Sequence, residues 1–112
     1  MQIDKKETVK QVYRFLKSYP SLVKLSLDGQ DGAFRAKAEE LMGVIEAFRD
    51  NLDDLRREIF ANLFTKRTGE KLKLHQLYEA LGIDKTEYER LKTEILLDFA
   101  KSYRGGVLLI EY

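Results

Sequence analysis

The chain has 112 residues, 35% charged and 44% hydrophobic, with a formal net charge of +1. That length suits one compact domain, and the composition belongs to a folded chain rather than a disordered one. The absence of Cys rules out disulfides and thiolate metal sites, the single His argues against a structural zinc centre, and the balanced charge gives no global pull towards nucleic acid.

The first ten residues, MQIDKKETVK, lack the apolar core of a signal peptide, and the longest apolar run near the end, VLLI, is far too short to span a bilayer. The expectation is a cytoplasmic protein with no membrane partner. One Pro, seven Gly and an abundance of Leu, Glu, Lys, Ala and Arg point to an all-α fold, a small helical domain of about five helices. It reads as a single domain over 1–112, with N-terminal helices in 1–52, a helix-turn-helix region in 53–106 and a short apolar tail in 107–112. Charge is uneven along it. Six basic residues stand against three acidic ones in 1–30, five against eight in 31–60, and seven against five in 61–92. A DNA-binding face would therefore be local.

Asp4 is placed to cap a first helix, with Glu7 at the third helical position. Val9, Val12, Tyr13, Leu16 and Tyr19 follow at helical spacing. Tyr19-Pro20 should end that helix, because a residue before Pro avoids the α region. A second short helix then runs through Leu22, Val23, Leu25 and Leu27, and DGQDG at 28–32 is the clearest loop. From Ala33 to about Asp50 the stripe Phe34, Ala38, Leu41, Met42, Ile45 and Phe48 predicts a third helix. Asp53 is a cap for a helix over 54–65, with Leu55, Ile59, Phe60, Leu63 and Phe64 inward. TKRTGEK is a polar turn. Leu72 to Leu81 is helical, and a long helix from about Lys85 to Tyr103 ends at RGG, where Gly105 suits a left-handed cap.

The stretch LYEALGIDKTEYERLK, from Leu77 to Lys92, has the apolar skeleton of a helix-turn-helix. Gly82 suits the position that needs φ > 0. Leu77, Leu81, Ile83, Tyr88, Leu91 and Ile95 would bury themselves around the corner, and Asp84 would cap the second helix. Lys85, Thr86, Glu87, Glu89, Arg90 and Thr93 are left on the outer face, which enters the major groove in a DNA reader. A corner that only packs two helices has the same pattern.

From Leu77 to Leu109 the chain closely resembles the ArpU family of phage-type transcriptional regulators. The family carries LGxSxSTYYR at its turn and LKKxALLxFAxAYRGGxLL near its end. The matching letters here are Leu81, Gly82, Tyr88, Arg90, Leu91, Lys92, Leu96, Leu97, Phe99, Ala100, Tyr103, Arg104, Gly105, Gly106, Leu108 and Leu109. The N-terminal half is similar more loosely, through VYRFLKSYPSLVKL and AEELMGVIEAFRDNLDDLRREIFANLF. The resemblance implies a helix-turn-helix similar to that of sigma-factor region 4 and regulation of phage or prophage genes. The chain departs from the pattern at Asp84, Glu87, Glu89, Thr93 and Glu94. Carboxylates on a groove helix repel phosphate, although Glu can accept from a cytosine amino group.

The DNA-binding residues expected on this reading are Lys85, Thr86 and Arg90 near the bases, Lys66, Arg67, Lys71 and Lys73 on the backbone, and Gln76, beside His75, at a phosphate. The alternatives are a solvated helix face for Lys85 and Arg90, a charged loop for 66–73 and a surface histidine for His75. Tyr88 and Tyr103 would stack on bases or, at helical spacing, lie in the core. The cations Lys5, Lys6, Lys10, Arg14, Lys17 and Lys24 make the N-terminal helix a second DNA contact, a partner-binding helix or an ordinary amphipathic one. The carboxylates of 39–54 fall on polar faces and near caps, so no enzyme, metal, cofactor or small-molecule substrate is expected. The partners implied are double-stranded DNA, RNA polymerase and a second copy in a homodimer, which Val107 to Ile110 would join by strand pairing or instead pack on their own core. The second hypothesis is a helical protein-interaction module that keeps the fold without sequence-specific DNA binding.

Overall fold

The computed structural model describes residues 3–28, 32–103, 106, 108 and 109, and among them the chain is all-α. Helix α1 spans Lys5–Leu16, and the Asp4 carboxylate accepts the Glu7 N–H at 3.1 Å, as the capping pattern predicts. It buries Thr8, Val12 and Leu16, one i, i+4 row. Helix α2, Tyr19–Asp28, follows almost at once, with Pro20 in its first turn, where a missing N–H is tolerated. Helix α3 is Gly32–Asp50, so the expected loop is bounded by the end of α2 and the start of α3, and 29–31 lie outside the described residues.

Tyr19 Oη donates to Glu46 Oε2 at 2.6 Å and ties α2 to α3. Burial, then this bond, pushes the Tyr19 hydroxyl up to about 12. The far end of the α2–α3 pair departs from the sequence pattern. Phe34 is 67% exposed and Leu27 80%, and Leu25 is also open, although all three belong to the apolar rows of their helices. Periodicity selects a helix face, but burial needs something opposite that face. Gly32 to Lys37 are exposed throughout, and α3 buries only Ala38 and Ile45. The domain measures 44 × 41 × 20 Å with a radius of gyration of 15.0 Å, above the roughly 13–14 Å of a compact chain this long. The α2–α3 tip projects past the core.

Asp53 caps α4, Asp54–Phe60, by accepting the Arg56 N–H at 2.9 Å. The single helix expected over 54–65 is corrected here: Ala61–Thr65 form a π-helical turn, closed by the Lys66 N–H on the Ala61 carbonyl at 2.8 Å. The wider turn brings Asn62 inside beside Phe64. Asn62 then clasps the Leu72 backbone, its amide N–H donating to the carbonyl at 3.1 Å and its Oδ1 accepting the N–H at 2.8 Å. This holds the polar turn, in which Thr68–Glu70 make a single 3₁₀ turn. Because Leu72 is engaged, α5 begins later than expected and covers Leu74–Leu81.

Gly82 ends α5 at φ 67°, ψ 34°, the left-handed conformation expected of it. Asp84 then accepts the Glu87 N–H at 2.8 Å and starts α6, Lys85–Ser102. A Cβ at Gly82 would meet nothing within 4 Å, so a side chain there costs backbone strain alone. Gly82→Val should lower stability by about 1–3 kcal/mol. Gly82→Asn, which tolerates this region, should lose less. Urea midpoints of the two variants check the order, and equal midpoints would contradict it.

Helices α1 and α4 both pack on α6, which buries Tyr88, Leu91, Ile95, Leu96, Phe99 and Ala100. Gly105 lies outside the described residues, and among those described near the chain's end Gly106 has a positive φ, 90°. Val107 and Ile110, the ends of the expected self-association strand, also lie outside them. Leu108 and Leu109 pack back on the core, and the Leu108 carbonyl accepts Gln11 Nε2 at 3.5 Å.

Candidate nucleic-acid interface

The face of α6 follows from its phase of about 100° per residue. The buried row Tyr88, Leu91, Ile95 and Phe99 faces the core, leaving Thr86, Arg90 and Thr93 outward, all exposed. Lys85 is exposed at the helix start, where it makes no ion pair among the described residues. Tyr88 and Tyr103 are core residues, at 1% and 7% exposure, so neither offers a ring to a base. The buried Tyr88 hydroxyl has no hydrogen-bond partner among the described residues. Burial first, and the charges around it second, push it up to about 12.

Arg90 is held by carboxylates. Its guanidinium donates to Glu87 Oε1 and, at 2.7 Å, to Glu94 Oε1. Glu94 also accepts from Arg56 Nη2 of α4 at 3.2 Å, and Arg56 Nη1 donates to Asp53 at 2.6 Å. The chain Asp53–Arg56–Glu94–Arg90–Glu87 thus links the cap of α4 to the outer face of α6. The Glu87 hydrogen bond raises Arg90 above its ordinary pKa, and the Asp53 hydrogen bond does the same for Arg56. The backbone N–H of Arg56 holds Asp53 below the usual carboxylate range. The bridges are exposed or, for Arg56–Glu94, partly buried, so the network orients side chains more than it stabilises the fold. In this arrangement Arg90 does not present a free fork to a guanine.

The basic turn is divided. Lys66, Arg67 and Lys71 line a cleft of about 280 Å³ with Tyr19, Pro20 and Val23 of α2 and with Phe64. Lys66 also reaches Glu58 at 3.4 Å. Lys73 is exposed just before α5, and its N–H donates to Gln76 Oε1 at 3.0 Å. Gln76 therefore caps its own helix, a role the sequence did not assign it. His75 is exposed. Lys66, Arg67 and Lys71 are thus gathered against α2, while Lys85, Thr86 and Arg90 share the first two turns of α6.

Sequence reasoning missed the neighbourhood of Lys92. This half-buried residue lies 5.2 Å from the centre of the Tyr13 ring, and Lys17 lies 5.1 Å from the same centre. The basic spacing of α1 was visible in the sequence, but nothing local joined it to a residue of α6 nearly eighty positions away.

No helix among the described residues is long and apolar enough to cross a membrane, and none of their acidic and His side chains gather into a metal-binding group. No family model, no curated protein and no solved structure matches this chain.

Proposed function

We propose that the chain is a DNA-binding regulator of phage or prophage genes, with the α5–Gly82–α6 corner acting as a helix-turn-helix. Helix α6 enters the major groove, with Lys85, Thr86 and Arg90 nearest the bases. The observation that carries this reading is the corner itself. Left-handed Gly82 stands between buried Leu77 and buried Tyr88 and Leu91, with Asp84 capping α6, and Gly82, Tyr88 and Leu91 are among the letters that resemble ArpU regulators. A single module of this size binds weakly, so a homodimer or cooperation with RNA polymerase completes the site.

A second reading, a protein-interaction module on the same fold, is favoured by two observations. Arg90 is held by Glu87 and Glu94, and Leu25, Leu27 and Phe34 form an exposed apolar tip.

The test is fluorescence anisotropy against a random duplex pool at low and physiological salt, with sequencing of the retained fraction. An enriched motif and a steep salt dependence are expected of a DNA reader. The double variant Glu87→Gln/Glu94→Gln frees Arg90 and removes two charges that repel phosphate. It should bind more tightly, with a salt slope steeper by about one phosphate. Absence of binding at low salt by both proteins, with RNA polymerase added as well as without it, would reject the DNA reading and leave the interaction module.

A further inference from the structure

The two flanks of α6 carry opposite electrostatics. On the α4 side, Arg56 and Arg90 are matched by Asp53, Glu94 and Glu87. On the α1 side cations outnumber carboxylates: Lys10, Arg14, Lys17 and Lys92 stand against Glu7 and exposed Glu89, which lies one turn before Lys92 on α6. A cleft of about 420 Å³ opens there, with Val9 and Tyr13 as its floor and Lys10, Arg14 and Lys92 around it. Lys17 adds a fourth cation against the Tyr13 ring. Glu7 pairs with Lys10 at 3.4 Å, whereas no carboxylate among the described residues pairs with Arg14, Lys17 or Lys92. The cleft is at the small end of ligand-site volumes, and its walls are mostly apolar carbon beneath charged tips.

We propose that this cleft between α1 and α6 grips the sugar–phosphate backbone of one strand of the duplex that α6 enters. The proposal rests on the DNA reading above and says which flank of α6 holds the strand. Three features fit a sugar–phosphate segment. Long cationic side chains suit phosphates, Arg14 as a fork and Lys92 as a point charge. Val9, beside the Tyr13 ring on which Lys17 and Lys92 rest, offers an apolar surface to the deoxyribose between two phosphates. The position also fits, because Lys92 is seven residues beyond Lys85. On a helix that is about 10 Å along the axis and only about 20° around it, so the two lysines share one edge of α6. A duplex whose groove receives the first turns of α6 lays one strand along that edge. The α4 edge, lined by Glu87, Glu94 and Asp53, repels the other strand and tilts the docking towards α1.

The measurement is the salt dependence of duplex binding for the full chain, by anisotropy with a labelled random-sequence duplex. Arg14→Gln/Lys92→Gln should lower the salt slope by about two, one for each phosphate no longer neutralised, with the same weakening on every sequence. Arg14 is exposed, so Arg14→Gln alone keeps the fold and should lower the slope by about one. Lys24→Gln/Lys101→Gln removes the same net charge at exposed positions away from the cleft and should leave the slope unchanged. If the chain binds duplex and the cleft variants keep its slope, the cleft assignment falls while the DNA reading stands. An equal decrease in the control variant also overturns the cleft, since net charge then explains the effect. No duplex binding at low salt, with or without RNA polymerase, overturns both the cleft and the DNA reading. Arg14-dependent binding of a Glu-rich peptide in that case would give the cleft to an acidic protein segment instead.

Discussion

Phe99→Ala should cost about 3–5 kcal/mol of folding stability, the largest effect expected of any single substitution considered for this chain. Phe99 is 1% exposed and sits where three helices meet. Its ring lies 5.0 Å from Phe48 of α3 edge-on, 5.9 Å from Phe15 of α1, and 5.4 Å from Tyr103 in a stacked pair. Truncation removes the transfer energy of the ring and leaves a cavity. Its walls come from rigid helices that cannot collapse inward without disturbing their own packing. Edge-to-face and stacked pairs add about 0.5–1.5 kcal/mol each beyond area burial. A small domain has about 5–15 kcal/mol in total, so the variant should sit near its unfolding midpoint in little urea. Urea unfolding followed by far-UV circular dichroism checks this. A midpoint close to wild type would mean that the aromatic cluster is not the centre of the core. Phe99→Leu should recover much of the stability, because it keeps most of the volume.

Asn62→Ala should cost about 2–4 kcal/mol, and the effect should be visible far along the chain. The side chain is 7% exposed and satisfies both backbone groups of Leu72. Leaving a buried donor or acceptor unmatched costs about 1–3 kcal/mol, and water recovers part of that because Leu72 is itself 37% exposed. Two readouts separate this role from a general packing defect. Amide hydrogen exchange at Leu72 should quicken more than exchange in α1, and the turn carrying Lys66, Arg67 and Lys71 should loosen. If Leu72 exchange stays at the wild-type rate, the clasp is not what holds the turn. Asn62→Asp should also fail, since a carboxylate cannot donate to the Leu72 carbonyl and would carry a charge into the core.

The two substitutions act on different parts of a future binding site. Phe99 supports α6 from beneath, so its removal weakens every function of the domain together. Asn62 sets only the basic turn, whose cleft faces α2. A variant that binds its partner normally after Asn62→Ala would show that the turn is dispensable for recognition. Recognition would then rest on α6 and α1.

Local chemistry made much of the fold legible. Asp4, Asp53 and Asp84 each cap the helix that the sequence places after them, because an N-cap needs only a short carboxylate two or three residues before free N–H groups. Gly82 adopts its left-handed corner for a reason contained in one residue, the missing Cβ. Val12 and Leu16 of the α1 row and the apolar row of α6 are buried as their spacing predicts, since the period of a helix is a local property. What only the tertiary structure decided depends on residues distant in sequence. Phe34, Leu25 and Leu27 belong to apolar rows yet are exposed, because among the described residues no element lies opposite the tip of α2 and α3. The π turn at Ala61–Thr65 and the inward Asn62 depend on Leu72 being in reach. Arg90 has its partners Glu87 and Glu94 one turn away on its own helix, a local pairing, and only the link from Glu94 to Arg56 of α4 needed the helices to pack. The cationic cleft exists only because α1 packs on α6 and brings Arg14 and Tyr13 beside Lys92. Caps, turns and periods are written within a few residues and so are determined by the sequence itself. Exposure, clefts and the ion pair between α4 and α6, Arg56 to Glu94, are set by which surfaces meet, and the packing of the helices decides that.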